Sequence, residues 1–318
     1  MAFDSKKTAA TLLGLGAAAV SVPLVLGFLA ALHPGFDSLS HFRLHLAAAL
    51  LAAGLLLLPF RGWRLNGAIA IALAIAATAV TLWPAWHAAP ANAASDGPTY
   101  RLLQMNLRFD NPRPDEVIAL LRRERPDIAM LEEVSPMWVE LLAATGEEFP
   151  HRLICPPHSY IGSVAILSRH PFTGEAPACS RYGSLALATV DFDGRAVEVA
   201  VLHLGWPWPF GQDRQVPRLA PALATLGDDA ILAGDFNATP WSMTVRAIAA
   251  AGGLSLAPWI GPSYLDRRLP SWLRPLAGLP IDHVMEKGAV RVVGLHRLPE
   301  AGSDHLPVRV EWAVGNRQ

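Results

Sequence analysis

The sequence predicts an α/β domain preceded by three membrane-crossing helices. Three observations predict it: apolar residues crowd the first third of the chain, strand-like and helix-like segments alternate after about Thr99, and polar clusters stand at the ends of the strand-like segments. Of 318 residues, 52% are hydrophobic and only 17% charged. That balance excludes a disordered chain and is too apolar for an ordinary soluble enzyme. The net charge of −1 provides no overall positive field to gather nucleic acid.

The apolar excess lies in three runs, residues 8–32, 44–60 and 67–86. Each is about as long as a bilayer crossing needs, ~20 residues within a range of roughly 17 to 25. The first and third carry no charge and the second only His45, whereas buried helices of a soluble protein usually keep a polar stripe. Phe60, Trp63, Trp83 and Trp86 suit an interfacial aromatic belt. Lys6, Lys7, Arg61 and Arg64 fall on one side of these spans and Arg43 on the other. The positive-inside bias therefore predicts a cytoplasmic N-terminus in the cell membrane and an extracytoplasmic domain after Trp86. Two alternatives are a cleaved signal peptide, which the later spans oppose, and processing at Ala91-Asn92-Ala93.

Residues 87–98 turn to Ala, Pro, Asn, Ser, Asp and Gly and read as a tether, with a domain of residues 99–318 beyond it. That domain holds 21 basic and 24 acidic side chains and is long enough for a core of its own. Strands are expected at 100–107, 127–131, 164–167, 196–203, 229–233 and 280–285, and a helix opening on Pro114 at 114–123. Cys155 and Cys179 either bridge in an oxidising compartment or remain buried thiols, and nothing in their spacing suggests a metal site.

Polar islands follow or interrupt the strands: Gln104-Met105-Asn106, Glu132-Glu133, His203, Gly234-Asp235-Phe236-Asn237, Ile281-Asp282-His283 and Ser303-Asp304-His305. Singly, each suits a turn or a cap. Together, several carboxylates, Asn and His at strand ends suit a hard cation and phosphate chemistry, Mg²⁺ or Mn²⁺ rather than zinc. In this order and spacing the islands resemble the endonuclease/exonuclease/phosphatase superfamily, the DNase I-like fold, in its branch with three N-terminal membrane helices. The run from Pro126 to Val134, Ala165-Ile166-Leu167-Ser168-Arg169 and His203-Leu204 are similar to its motifs as well, with Glu132 standing where the family often has Gln.

The resemblance implies a four-layer α/β/β/α sandwich with one site across the sheet edges. It implies a Mg²⁺ or Mn²⁺ cofactor with Glu133 as main ligand and Asn106 and Asp304 beside the ion. It further implies that Asp235 deprotonates water, that Asn237 holds the nucleophile or phosphate, that Asp282 charges His305, and that His305 and His203 stabilise phosphoryl oxygens. Glu132 and His283 read as neighbours of these groups.

The substrate is read from loops. Trp206 and Trp208 follow His203, Trp241 follows Asn237, and Arg274 precedes Asp282. Trp beside Pro and Arg suits lipid headgroups, although the same rings could pack under the loops. Base stacking would use similar residues, but the domain's net charge of −3 opposes it. The leading expectation is a membrane-anchored, metal-dependent phosphoesterase whose partners are the bilayer and a phosphorylated or pyrophosphorylated envelope lipid. An extracytoplasmic nuclease acting on DNA or RNA, and an inactive phospholigand-binding domain, are the alternatives. No protein partner is indicated.

Overall fold

The computed structural model describes residues 5–87 and 98–315. Apart from its two end residues, the tether expected at 87–98 lies outside the described residues, as does Ala91-Asn92-Ala93. The chain divides into two compact units, Met1–Ala88 with Pro207–Pro209 and Trp241–Met243, and the remainder.

In the first unit, α1 (Ser5–Phe28), α2 (Pro34–Ser40), α3 (Arg43–Leu57) and α4 (Arg64–His87) are joined by short turns. Small residues set the packing: a Cβ at Gly54 would lie 2.9 Å from the Gly67 carbonyl oxygen, so α3 and α4 approach backbone to backbone. Ala47, Ala70, Ala74 and Ala77 line the same buried seam, while Leu12, Leu15, Leu55, Leu56, Ile69 and Ile75 face outward. This is a surface suited to lipid rather than water.

Of the three expected membrane-crossing helices, two are long and apolar enough, or up to three if a bent pair counts as one span. The helix Ser5–Phe28 and the segment Arg61–Trp83 are long and apolar enough to cross a membrane, but α3 is not. With 15 residues at ~1.5 Å each it reaches about 22 Å, short of the ~30 Å hydrocarbon core. It qualifies only together with α2, across a bend of 62°. Near that bend Arg43 donates to the Gly27 carbonyl oxygen at 2.6 Å and lies 4.2 Å from the Phe28 ring centroid, a cation closing the C-terminus of α1.

The second unit holds β1 (Thr99–Asn106), α5 (Pro114–Glu124), β2 (Ile128–Val134), α6 (Pro136–Ala143), β3 (His151–Ile154), β4 (Ser163–Ser168), β5 (Ala178–Cys179), β6 (Leu185–Phe192) and β7 (Arg195–His203). There follow α7 (Gln212–Leu223), β8 (Ala230–Asp235), α8 (Met243–Gly252), β9 (Ser255–Leu256), α9 (Arg274–Ala277), β10 (Asp282–Lys287), β11 (Val290–Arg297) and β12 (Val308–Val314). Two six-stranded mixed sheets form, in the orders β11-β12-β1-β2-β4-β3 and β5-β6-β7-β8-β10-β9.

Alternation along the strands assigns each residue to a layer. Leu102, Met130, Ile166, Val199, Val201 and Ile231 meet between the sheets. Leu103, Met105 and Leu131 point the other way, onto Val117 and Leu120 of α5 and Trp138 of α6. Leu202 and Leu232 pack on Val216, Leu219 and Ile248 of α7 and α8. The result is a four-layer α/β/β/α sandwich. The helix expected at 114–123 is present with its signals in place: Pro114 at the start, Asp115 and Glu116 in the first turn, Arg122 and Arg123 in the last, and Arg125 left-handed at the cap. Cys155 and Cys179 are disulfide-bonded, which ties β5 to the chain just after β3.

Candidate active site

Strand register gathers the polar islands at one edge. In the first sheet β1 runs parallel to β2, with Asn106 opposite Glu132. In the second β7 runs parallel to β8, with His203 opposite Asp235, and β10 runs antiparallel with Asp282 opposite the same Asp235. Gly234 makes this possible, since a Cβ there would collide with the Leu202 carbonyl oxygen of the neighbouring strand. Glu133, Arg108 and Asn237 take left-handed φ values of 55°, 60° and 47°, so the strands break from regular pleating where they deliver these side chains.

Asp235 and Asp282 of the second sheet face His305, which comes from the loop before β12. His305 Nδ1 lies 2.9 Å from Asp282 Oδ2, and His305 Nε2 lies 3.5 Å from Asp235 Oδ2. Burial opposes a charge on His305, but Asp282 and Asp235 more than offset it and hold the imidazolium well above its ordinary range. Burial likewise works to raise Asp282, yet His305 and the hydrogen bonds to it bring its carboxyl below the usual carboxylate value. Asp235 is pushed up to about 6, chiefly by burial, with His305 lowering it and Asp282 raising it. Burial lowers His203, whose Nε2 lies 3.6 Å from Asp235 Oδ2, so it is a neutral imidazole at neutral pH. Asn237 completes this side: its backbone N–H donates to Asp235 Oδ1 at 2.8 Å and its amide to Leu204 O and Asp235 Oδ2.

The first sheet carries a more open carboxylate. Glu133 accepts from Phe109 N at 2.8 Å and from Asn106 Nδ2 at 3.1 Å, and burial pushes its carboxyl up. The same Asn106 nitrogen donates to Asp235 Oδ2 at 3.1 Å, while its oxygen accepts from Arg108 N. Asn106 is therefore the hydrogen-bond bridge between the two acids. Asp304, in the loop before β12, contributes to the field on Glu133. Asp235, Asp282 and His305 place ligand atoms within 4.8 Å of one another, a set that could hold a metal ion. Glu133 and Asp304 offer hard oxygen donors of the kind that suits Mg²⁺ or Mn²⁺.

Residues beyond the motif positions support this core. Gln104 Nε2 donates to Asp282 Oδ1 at 2.9 Å and to Glu132 Oε2 at 3.0 Å, and Ser263 Oγ accepts from the backbone of Asp282. Glu132 is fully buried, and its carboxyl is raised well above normal by burial and then by Asp282 and Asp235. Ser303 Oγ donates to Asn106 O and accepts from His305 N. Gln104 and Ser303 lay inside the polar islands, but nothing local marked Ser263.

The loop residues separate. Trp206 and Trp208 are exposed, at 62% and 46%, whereas Trp241 is buried. Arg274 donates to the carbonyls of Leu269 and Arg267 and so fastens its own loop. His283 bonds Ala238 O and is held neutral by burial, down to about 4.

The sequence profile described as Endonuclease/Exonuclease/phosphatase family matches residues 103–305. No match is found among curated proteins. Among solved structures, D. rerio TDP2 humanised by 14 mutations is similar at 16% identity over 68% of this chain and 99% of that one, TM-score 0.54. An endonuclease/exonuclease/phosphatase from Bacteroides vulgatus is similar at 18% over 68% and 99%, TM-score 0.53. The human Nocturnin catalytic domain is similar at 17% over 70% and 96%, TM-score 0.51. At these identities the likeness is one of fold.

Proposed function

Because the chain belongs to the endonuclease/exonuclease/phosphatase family, whose members hydrolyse phosphoesters, we propose that it is a membrane-anchored, divalent-metal-dependent phosphoesterase acting on a phosphate or pyrophosphate of an envelope lipid. The observation that carries the chemistry is the Asp235–His305–Asp282 arrangement, with both ring nitrogens of one imidazolium facing carboxylates, beside Glu133. Mg²⁺ or Mn²⁺, held by Glu133 with Asp304 and Asn106 beside it, would polarise a phosphoryl oxygen and steady the leaving oxygen.

The chain's own residues supply the rest. Asp235 takes the proton of a water whose oxygen attacks phosphorus as the bond to the leaving oxygen breaks. The His305 imidazolium offsets charge building on the phosphoryl oxygens, and Asp282 keeps it protonated and oriented. His203 and the Asn237 amide hold the nucleophile and phosphate over Asp235.

The lipid reading and the location rest on other features. Two helices long and apolar enough to cross a membrane, or up to three if the bent α2–α3 pair is one span, favour a multi-pass anchor. Lys6, Lys7, Arg61 and Arg64 against Arg43 favour a cytoplasmic N-terminus. The Cys155–Cys179 disulfide supports an extracytoplasmic domain of residues 99–318. Exposed Trp206 and Trp208, which follow His203 in the sequence, favour a lipid, and the domain's net negative charge disfavours a nucleic acid.

The test is phosphate release by the full chain in detergent, with and without EDTA, from an isoprenoid pyrophosphate alongside a DNA diester. Metal-dependent release from the lipid alone is expected. Cleavage of the diester alone would make this a tethered nuclease, and no hydrolysis of any phosphoester would leave an inactive binding domain.

A further inference from the structure

Tyr264 belongs to no motif, yet it is built against the reacting groups. Its ring centroid lies 5.2 Å from that of His305, at 59° between planes. Its backbone forms isolated bridges with both Leu279 and His305. The segment around it is stitched to the His305 loop: Leu265 N donates to Asp304 O at 2.7 Å, Leu306 N donates to Ser263 O at 2.8 Å, and Arg267 donates to the Gly302 carbonyl. Ser263 Oγ meanwhile accepts from Ile281 N and Asp282 N. The tyrosine is thus fixed in register with both members of the His305–Asp282 pair. It is only half-buried.

From this geometry we propose that Tyr264 contacts the phosphate directly, its hydroxyl donating to a non-bridging phosphoryl oxygen while its ring holds the His305 imidazole in place. The inference rests on the phosphoesterase reading and adds a neutral donor to it. Burial, then Asp266 and Asp304, raise the phenol, so it keeps its proton across the working pH range. A neutral donor suits a site already crowded with carboxylates, because it stabilises phosphate oxygens without adding a charge that Asp235 would have to share. No covalent step is involved.

Tyr264→Phe removes the hydroxyl and keeps the ring; Tyr264→Leu removes both. Binding of inorganic phosphate to the full chain in detergent with Mg²⁺, followed by ³¹P NMR, reads the contact without turnover. Tyr264→Phe should weaken that binding about tenfold, the scale of one hydrogen bond to a charged acceptor, with the melting temperature unchanged. It should lower kcat for any phosphoester the wild type hydrolyses by a similar or larger factor while KM moves less. Tyr264→Leu should also shift the His305 imidazole resonances. Phosphate binding by Tyr264→Phe within twofold of wild type overturns the proposal. If wild type hydrolyses nothing but Tyr264→Phe still binds phosphate tenfold more weakly, the contact stands and the catalytic reading falls.

Discussion

The two sheets of the sandwich deliver acids to the same edge and treat them in opposite ways. On the second sheet Asp235 and Asp282 are 1% and 2% exposed, and both face His305. On the first, Glu133 keeps some exposure and is held by two hydrogen-bond donors, Phe109 N and Asn106 Nδ2. A buried carboxylate needs a paired charge or a proton, whereas an open one can wait for a cation from solution. On the proposed reading this difference would divide the labour, the buried pair moving a proton and Glu133 receiving the metal.

The sharpest way to break this division is Asp235→Asn. If Asp235 is the proton acceptor, phosphate release should fall by about 10³-fold, within the ~10²–10⁴ range of positioned acid–base groups, and added Mg²⁺ should not restore it. Glu133→Gln should behave differently. Activity should fall by about 10²-fold at low Mg²⁺ and recover in part as the metal is raised, measured as the Mg²⁺ concentration for half-maximal rate. Equal responses of the two variants to Mg²⁺ would erase the distinction between the sheets.

The pH profile sharpens it further. Asp235 must be ionised to accept a proton and its carboxyl sits at about 6 before metal binds, so the rate should fall as pH drops through that region. His305 must stay protonated, so the rate should fall again at alkaline pH, above the ordinary histidine value. Asp282→Asn removes the main charge holding His305 up. It should cost about 10- to 100-fold in rate and move the alkaline limb to lower pH. An unmoved alkaline limb would separate Asp282 from His305 function.

Much of this arrangement was legible because its logic is local. Strand ends announce themselves where an apolar run meets Asn, Asp or His, and pairing then sets Asn106 opposite Glu132 and, by one parallel and one antiparallel neighbour, His203 and Asp282 opposite Asp235. What stayed hidden depends on distant partners or on local signals that contradict the outcome. Helix α7 carries Pro217 and Pro221 in its interior, which argues against a helix by propensity, yet Val216, Leu219 and Leu223 bury it on the sheet. The middle apolar run, 44–60, reads as a span by hydropathy, but its helix α3 has only 15 residues and qualifies only together with α2. Trp241 and Arg274 sat in the right loops for substrate contact, but one ring is buried and the other side chain is spent on carbonyls. Ser263 and Tyr264 reach the site only because a loop folds back along Ser303–His305, a tertiary event with no sequence pattern.

The smallest expected effect on the chemistry comes from the disulfide. Cys155 and Cys179 close a loop at a sequence separation of 24, in the chain after β3 and in β5, outside the residues that meet at the site. Constraining an unfolded loop of that size stabilises the fold by about 3 kcal/mol, which for a domain of this size corresponds to roughly 6–12 °C in Tm. Replacing both cysteines with serine should therefore lower Tm by about that amount while the rate per folded molecule and the Mg²⁺ dependence stay within twofold. Because β5 pairs only with β6, at the margin of the second sheet, loosening it should leave Asp235 and His305 in register. A large loss of activity with Tm unchanged would mean that the margin of that sheet, and not only its central strands β7, β8 and β10, sets the buried side of the site.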